Sequence, residues 1–193
     1  MSRYWRVVPY LDDAAPGSDG HPLYVPRAYQ GHGRWDNPDH YTITYLSETP
    51  EGAIGETFAN RSTWTESMFD ASGIAEGMRR ALVEYETTTA VDLVNLDDPA
   101  VLSELGIRSV SQLLGRNRES TQQFALTEYL KGKTHGLRSV SYHLPHWFIV
   151  GMWADDDQNG PFRDLLEIVQ IEELTLGIPV VVTAAEALRR HLP

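Results

Sequence analysis

Arg34 and Glu56 are the two side chains of this sequence best placed to do chemistry together. Both fall in residues 33–59, GRWDNPDHYTITYLSETPEGAIGETFA, with Tyr45 between them. A guanidinium presents a planar fork of N–H donors that matches phosphate oxygens. A carboxylate accepts hydrogen bonds from sugar hydroxyls and places negative charge beside a cationic centre. A ligand with both phosphate and sugar parts would use the two at once. Taken singly, each is a residue type usually found solvated at the surface, so the case rests on the elements that carry them.

Those elements form a short strand-to-helix unit. Residues 41–46, YTITYL, alternate β-branched and aromatic side chains and read as a strand. Thr49 suits an N-cap, Pro50 the first helical position and Glu51 the first turn, which predicts a helix over about residues 50–60. Ile54 and Phe58 mark its apolar stripe, while Ala53, Glu56 and Asn60 line the neighbouring face, so Glu56 flanks the core.

The rest of the chain must support this unit. Residues 4–8, YWRVV, read as a first strand closed by Pro9, with Arg6 as its conspicuous charge. Residues 10–32 carry no helical period, are punctuated by Gly and Pro, and predict a long loop of the kind that covers a ligand site. Residues 71–82 suggest a short helix and 81–93 one strand or two. Asp97 or Asp98 with Pro99 opens a helix that Gly106 ends. A helix capped near Ser120 and stopped at Gly132 follows, with Phe124, Ala125, Tyr129 and Leu130 inward and Arg116 and Arg118 preceding it. Residues 135–143 and 146–154 predict an adjacent strand pair, LLEIVQIEEL a further strand, and TAAEALRRHL a helix capped by Thr183. Alternating strands and helices without a linker or repeat predict one mixed α/β or α+β domain over residues 1–193.

Composition narrows the function classes. With acids outnumbering bases 27 to 16 and a net charge of −11, the chain is not a general nucleic-acid binder, and an anionic ligand would need a few arginines to make a locally positive pocket. No apolar run reaches the roughly 20 residues of a membrane span. With no cysteine and an N-terminus unlike a secretory signal, the expected setting is the cytoplasm. Self-association stays open.

Common catalytic motifs are missing: no Cys nucleophile, G-x-S-x-G elbow, phosphate-binding P-loop or G-x-G-x-x-G. Asp155, Asp157, Asn159 and Gly160 imitate the start of a calcium loop, but the twelfth position is Leu166, so an ordinary acidic turn is the better reading. His143 and His146 flank Pro145 and do not form a helical metal-ligand pair, and no metal is expected.

The order of several segments resembles the RES family, bacterial toxin domains named for an arginine, a glutamate and a serine. These are the WRV strand, GRWDNP, the strand ending YLSET, the helix EGAIGETFA, AVDL, QFALTEYL and GLRSVSYH. Arg34, Glu56 and Ser141 match the three name-giving residues, and Tyr45 matches a tyrosine that accompanies them. Where the family often has Pro before its serine, this chain has Val140. The resemblance implies a fold related to ADP-ribosyltransferases. It implies an enzyme that consumes NAD as substrate by breaking the nicotinamide–ribose bond, and a DNA-binding antitoxin partner. On that basis Glu56 would face the ribose, Arg34 and Arg6 the phosphates, and Tyr45 and Ser141 the nicotinamide end in roles left interchangeable. The acceptor, whether water, phosphate or a protein side chain, stays open, as does a non-catalytic acidic binding module on the same fold.

Overall fold

The computed structural model describes residues 1–109, 111–114, 117–155 and 162–193. In chain order the elements are β1 Arg3–Tyr10, β2 Thr42–Ser47, α1 Pro50–Phe58, β3 Arg79–Thr87, β4 Leu93–Asn95 and α2 Pro99–Glu104. They continue with α3 Ser111–Leu114, α4 Arg118–Leu130, β5 Gly136–Val140, β6 Phe148–Ala154, β7 Leu166–Glu173 and α5 Pro179–Ala187. The strands form a seven-stranded sheet of order β4-β5-β6-β2-β1-β3-β7. Only β4–β5 is parallel among these pairings, and the architecture is mixed α+β. No helix among the described residues is long and apolar enough to cross a membrane.

The sheet is nearly split at its centre. β1 pairs with β3 along its length and β2 pairs with β6 along its length, but β1 and β2 meet only at Trp5 opposite Ser47. Pro9 lies beyond that meeting point, on a stretch paired with β3, so its missing N–H is tolerated and β1 continues to Tyr10. The site described below occupies the place where the two halves part.

Period-2 alternation sends side chains to the two faces. On one face, Val7 packs with Ile54 and Phe58 of α1 and Val181 and Ala184 of α5. Ile43 of β2 packs on the same face with Trp35, Tyr41, Ala125, Leu137 and Trp153, under α4. Burying a side chain such as Ile54, which has no exposed surface, contributes about 1.5–3 kcal/mol. On the opposite face Tyr4, Val8, Leu46 and Val83 pack with Val25 and Phe162.

That second face accounts for the long loop. Val25 and Leu23 pack into its apolar cluster, and Tyr85 Oη donates to the Pro22 carbonyl at 2.7 Å. Residues 10–32 line none of the candidate cavity, which lies on the helical face. The loop therefore shields the sheet, not the ligand site as its length and composition suggest.

Other boundaries also move. Residues 71–78 are turns, not a helix: Ile74 is half exposed while Met78 is buried, so this i,i+4 pair shares no face. Residues 81–93 divide between β3 in the middle of the sheet and β4 at its far edge. α4 begins three residues early, with Asn117 Oδ1 accepting from Ser120 N–H, and Leu130 is 66% exposed. α5 begins at Pro179, and Thr183 lies inside it, its hydroxyl donating to the Pro179 carbonyl at 3.0 Å. The calcium-like residues Asp157, Asn159 and Gly160 lie outside the described residues, while Asp155 accepts a hydrogen bond from Tyr129 Oη.

Candidate active site

A cavity of about 320 Å³ opens where β1 and β2 part. β1 supplies Trp5 and Arg6, the turn before β2 supplies Arg34, β2 supplies Tyr45, α1 supplies Glu56 and α4 supplies Arg118. Among the described residues, Arg34 and Arg118 thus share a cavity with one carboxylate, in a protein whose net charge is −11. Arg6 borders the same cavity, but it alternates with Tyr4 and Val8 and also lines the pocket of the opposite face with Pro22, Tyr85 and Phe162. Arg34 and Glu56 line one cleft, as their residue types predict.

Glu56 is placed by its helix and by a residue far along the chain. Thr49 Oγ1 caps α1 by accepting from Gly52 N–H at 3.1 Å. Gly55 permits close packing, since a Cβ there would stand 2.2 Å from the Trp147 ring. Ser141, buried just after β5, donates its hydroxyl to Glu56 Oε1 and accepts from His143 N–H at 3.0 Å. Its own N–H donates to the Trp147 carbonyl at 2.7 Å. Ser141 does not line the cavity and reaches it through Glu56.

Val140, which stands where the family pattern often has proline, uses the N–H that proline lacks: it donates to Asp97 Oδ1 at 3.0 Å. Arg138 on the same strand holds Glu48 with two bonds of 2.6 and 2.9 Å and reaches Asp97 at 3.3 Å. The exit of β2 toward α1 and the exit of β5 toward Ser141 therefore share one ionic anchor.

Arg34 is not paired with Asp36 or Asp39. Asp36 is buried and already committed: its Oδ2 accepts from Gly31 N–H and Gly33 N–H, each at 2.7 Å, and its Oδ1 accepts from Tyr45 Oη at 2.7 Å. Gly33 is required at this close approach, because a Cβ would lie 2.2 Å from Asp36 Oδ1. Gln122 of α4 completes the clamp by donating to the carbonyls of Gly31 and Gly33 at 3.0 and 2.9 Å. The turn that carries Arg34 is thus fastened to β2 on one side and α4 on the other.

The guanidinium it presents is unsatisfied. Arg34 Nη1 is buried without a partner, an arrangement that costs about 1–3 kcal/mol unless a ligand supplies an acceptor. Burial, and secondarily the charge of Arg118, depress the Arg34 pKa, with Glu56 opposing them. Arg6, also lowered by burial, makes no side-chain hydrogen bond or ion pair among the described residues.

Tyr45 turns out to be partly committed. Its hydroxyl donates to Asp36 and accepts from Trp35 N–H at 2.9 Å, and its ring stacks on Trp35 with centroids 5.8 Å apart. Burial and then the Asp36 charge push its pKa well up, so the phenol stays protonated. The ring faces the cavity while the proton is spent on the Arg34 turn. The roles that sequence leaves interchangeable between Tyr45 and Ser141 differ in geometry: one braces the arginine, the other the glutamate.

Sequence reasoning misses Asp36 and Gln122 as braces and Arg118 as a lining residue. The signal for Arg118 is its type: a cation in the first turn of a helix opposes the macrodipole by about 0.3–1 kcal/mol, which calls for a reason. Among the described residues, no group of three or more His, Asp or Glu is arranged to hold a metal.

The RES domain family model matches residues 3–164, from β1 to the approach to β7 and across Arg34, Tyr45, Glu56 and Ser141. The chain belongs to the RES domain family. The RES domain here is similar in backbone to a chain of the M. tuberculosis MbcT–MbcA toxin–antitoxin complex, with a TM-score of 0.60 at 14% identity. The likeness covers 97% of this chain and 89% of that one. At that identity the likeness speaks for the fold. No curated protein matches the chain in sequence.

Proposed function

We propose that this RES domain is the toxin of a toxin–antitoxin pair and acts by destroying NAD, cleaving the bond between nicotinamide and ribose. The observation that carries this reading is one carboxylate, braced from behind by Ser141, sharing a cavity with Arg34 and Arg118, whose guanidinium groups make no hydrogen bond or ion pair among the described residues. Such a site suits a ligand whose sugar becomes cationic while its phosphates are anionic. As the C–N bond breaks, its electron pair goes to the nicotinamide nitrogen and positive charge grows on the ribose. Glu56 stabilises that charge and can orient the ribose hydroxyls. Arg34 holds the phosphate oxygens, and the acceptor oxygen closes on the ribose carbon. The cavity volume of about 320 Å³ is within the range of small-molecule sites.

Membership of the family and the likeness to a chain of a toxin–antitoxin complex support an antitoxin partner. By the family resemblance that partner is DNA-binding. The setting is the cytoplasm, where NAD is available. The acceptor is water, inorganic phosphate or a protein side chain, distinguished by product: ADP-ribose, a phosphorylated ADP-ribose, or labelled macromolecule.

The test is purified protein incubated with NAD, with and without phosphate, following free nicotinamide. Release is expected, and Glu56→Ala should lower it at least about 100-fold with the fold intact. No release at high enzyme concentration in either condition would defeat the proposal. Calorimetric NAD binding without turnover would instead favour a binding module on this fold.

A further inference from the structure

Arg118 belongs to none of the segments by which the family resemblance is traced, yet it lines the same cavity as Arg34 and Glu56. In a chain with 27 acids against 16 bases, arginines readily find carboxylates: Arg3 pairs with Glu84 at 2.7 Å and Arg138 with Glu48 at 2.6 Å. Arg34 and Arg118 do not. Among the described residues neither guanidinium makes a hydrogen bond or ion pair, although Glu119 adjoins Arg118 in sequence. They lie close enough for their charges to repel each other. Two cations held near each other in one cavity, one of them buried, make a locally positive space that favours an anion between them.

Their relative placement is built in. Gln122, one helical turn after Arg118, donates to the carbonyls of Gly31 and Gly33, the residues leading into Arg34. Asn37 Nδ2 returns the contact, donating to the Gln122 carbonyl at 2.9 Å. The start of α4 and the Arg34 turn are thereby one rigid unit, and Arg34 Nη1 lies buried without a partner within it. This is preorganised geometry for oxyanions, with each guanidinium able to give paired N–H donors.

We infer that Arg118 is a substrate-binding residue and forms, with Arg34, a two-sided clamp on the phosphate groups of the substrate. The inference rests on the NAD-consuming reading only in naming NAD as the carrier of those phosphates. Glu56, the one acidic group lining the cavity among the described residues, is left for the sugar.

The test compares NAD with nicotinamide riboside, which has the same scissile bond and no phosphate. In Arg118→Ala, kcat/KM for NAD should fall about 10- to 100-fold, mainly through KM, while that for the riboside stays unchanged. Arg118→Lys should recover part of the loss, since charge returns without the fork. An equal loss on both substrates, no loss on NAD, or a change confined to the KM for added phosphate would overturn the assignment. Should the wild-type protein release nicotinamide from neither substrate, calorimetry with ADP decides. Binding that weakens at least about 10-fold in Arg118→Ala supports the clamp even though the NAD reading has failed. Equal binding, or none by the wild type, overturns it.

Discussion

Asp36→Asn tests how the site is held together. Three donors converge on this carboxylate, Gly31 N–H, Gly33 N–H and Tyr45 Oη, each at 2.7 Å. A hydrogen bond to a charged group is worth about 1.5–3 kcal/mol net and a neutral one about 0.5–1.5, so neutralising the acceptor removes about 1 kcal/mol per bond. The asparagine also turns an N–H₂ toward a donor wherever its single oxygen is not. The expected loss is about 3 kcal/mol in unfolding free energy, which at about 2–4 °C per kcal/mol for a chain of this size lowers Tm by about 6–12 °C. Urea titration followed by tryptophan fluorescence measures it, since buried Trp35 stacks on Tyr45 beside the substitution. Because the same turn aims Arg34, kcat/KM for nicotinamide release should fall at least about 10-fold. Tyr45→Phe should lose about 1 kcal/mol alone and show coupling of similar size to Asp36→Asn in a double-mutant cycle. An Asp36→Asn protein within about 0.5 kcal/mol of wild type would refute the argument, because three donors cannot lose a charged acceptor at no cost.

Ser141→Ala removes the hydroxyl that donates to Glu56 and leaves His143 N–H without its acceptor. The expected result is kcat down about 10- to 100-fold with KM nearly unchanged, and stability down by about 1–3 kcal/mol. A rise in KM with kcat intact would place Ser141 on the substrate instead. The buried phenols predict alkaline behaviour. Burial raises the pKa of Tyr41, Tyr45 and Tyr85, so the folded protein keeps protons that the unfolded chain loses from about pH 10. Their contribution to stability is full below about pH 10 and is lost as pH rises above it, so urea midpoints should hold to about pH 9 and then decline. Tyrosinate absorbance that developed fully near pH 10 while the protein stayed folded would contradict this.

The elements of the site were legible where local chemistry decides structure. The Thr49 cap with Pro50 and the alternation through Tyr45 depend on neighbours in sequence, and both stand where those patterns put them. Start points slipped where two signals competed, as at Asn117 against Ser120 and at Pro179 against Thr183. The irregularity of residues 10–32 follows from their glycines and prolines, but the side of the sheet they cover depends on Val25 and Tyr85 meeting across a long chain separation.

Sequence by itself determined the strand-to-helix unit, the mixed α+β class, and the identity of Arg34, Tyr45, Glu56 and Ser141 as the candidate chemical groups. Tertiary structure alone decided their partners. It denied Arg34 the nearby Asp36 by spending that carboxylate on two backbone amides and a phenol. It brought Ser141 behind Glu56, and it delivered Arg118 to the cavity through the Gln122 contact. The reason is physical: caps and periodicity act over one or two turns of chain. Which acceptor a donor finds depends instead on how two halves of a sheet, joined only at Trp5 and Ser47, leave a gap between them.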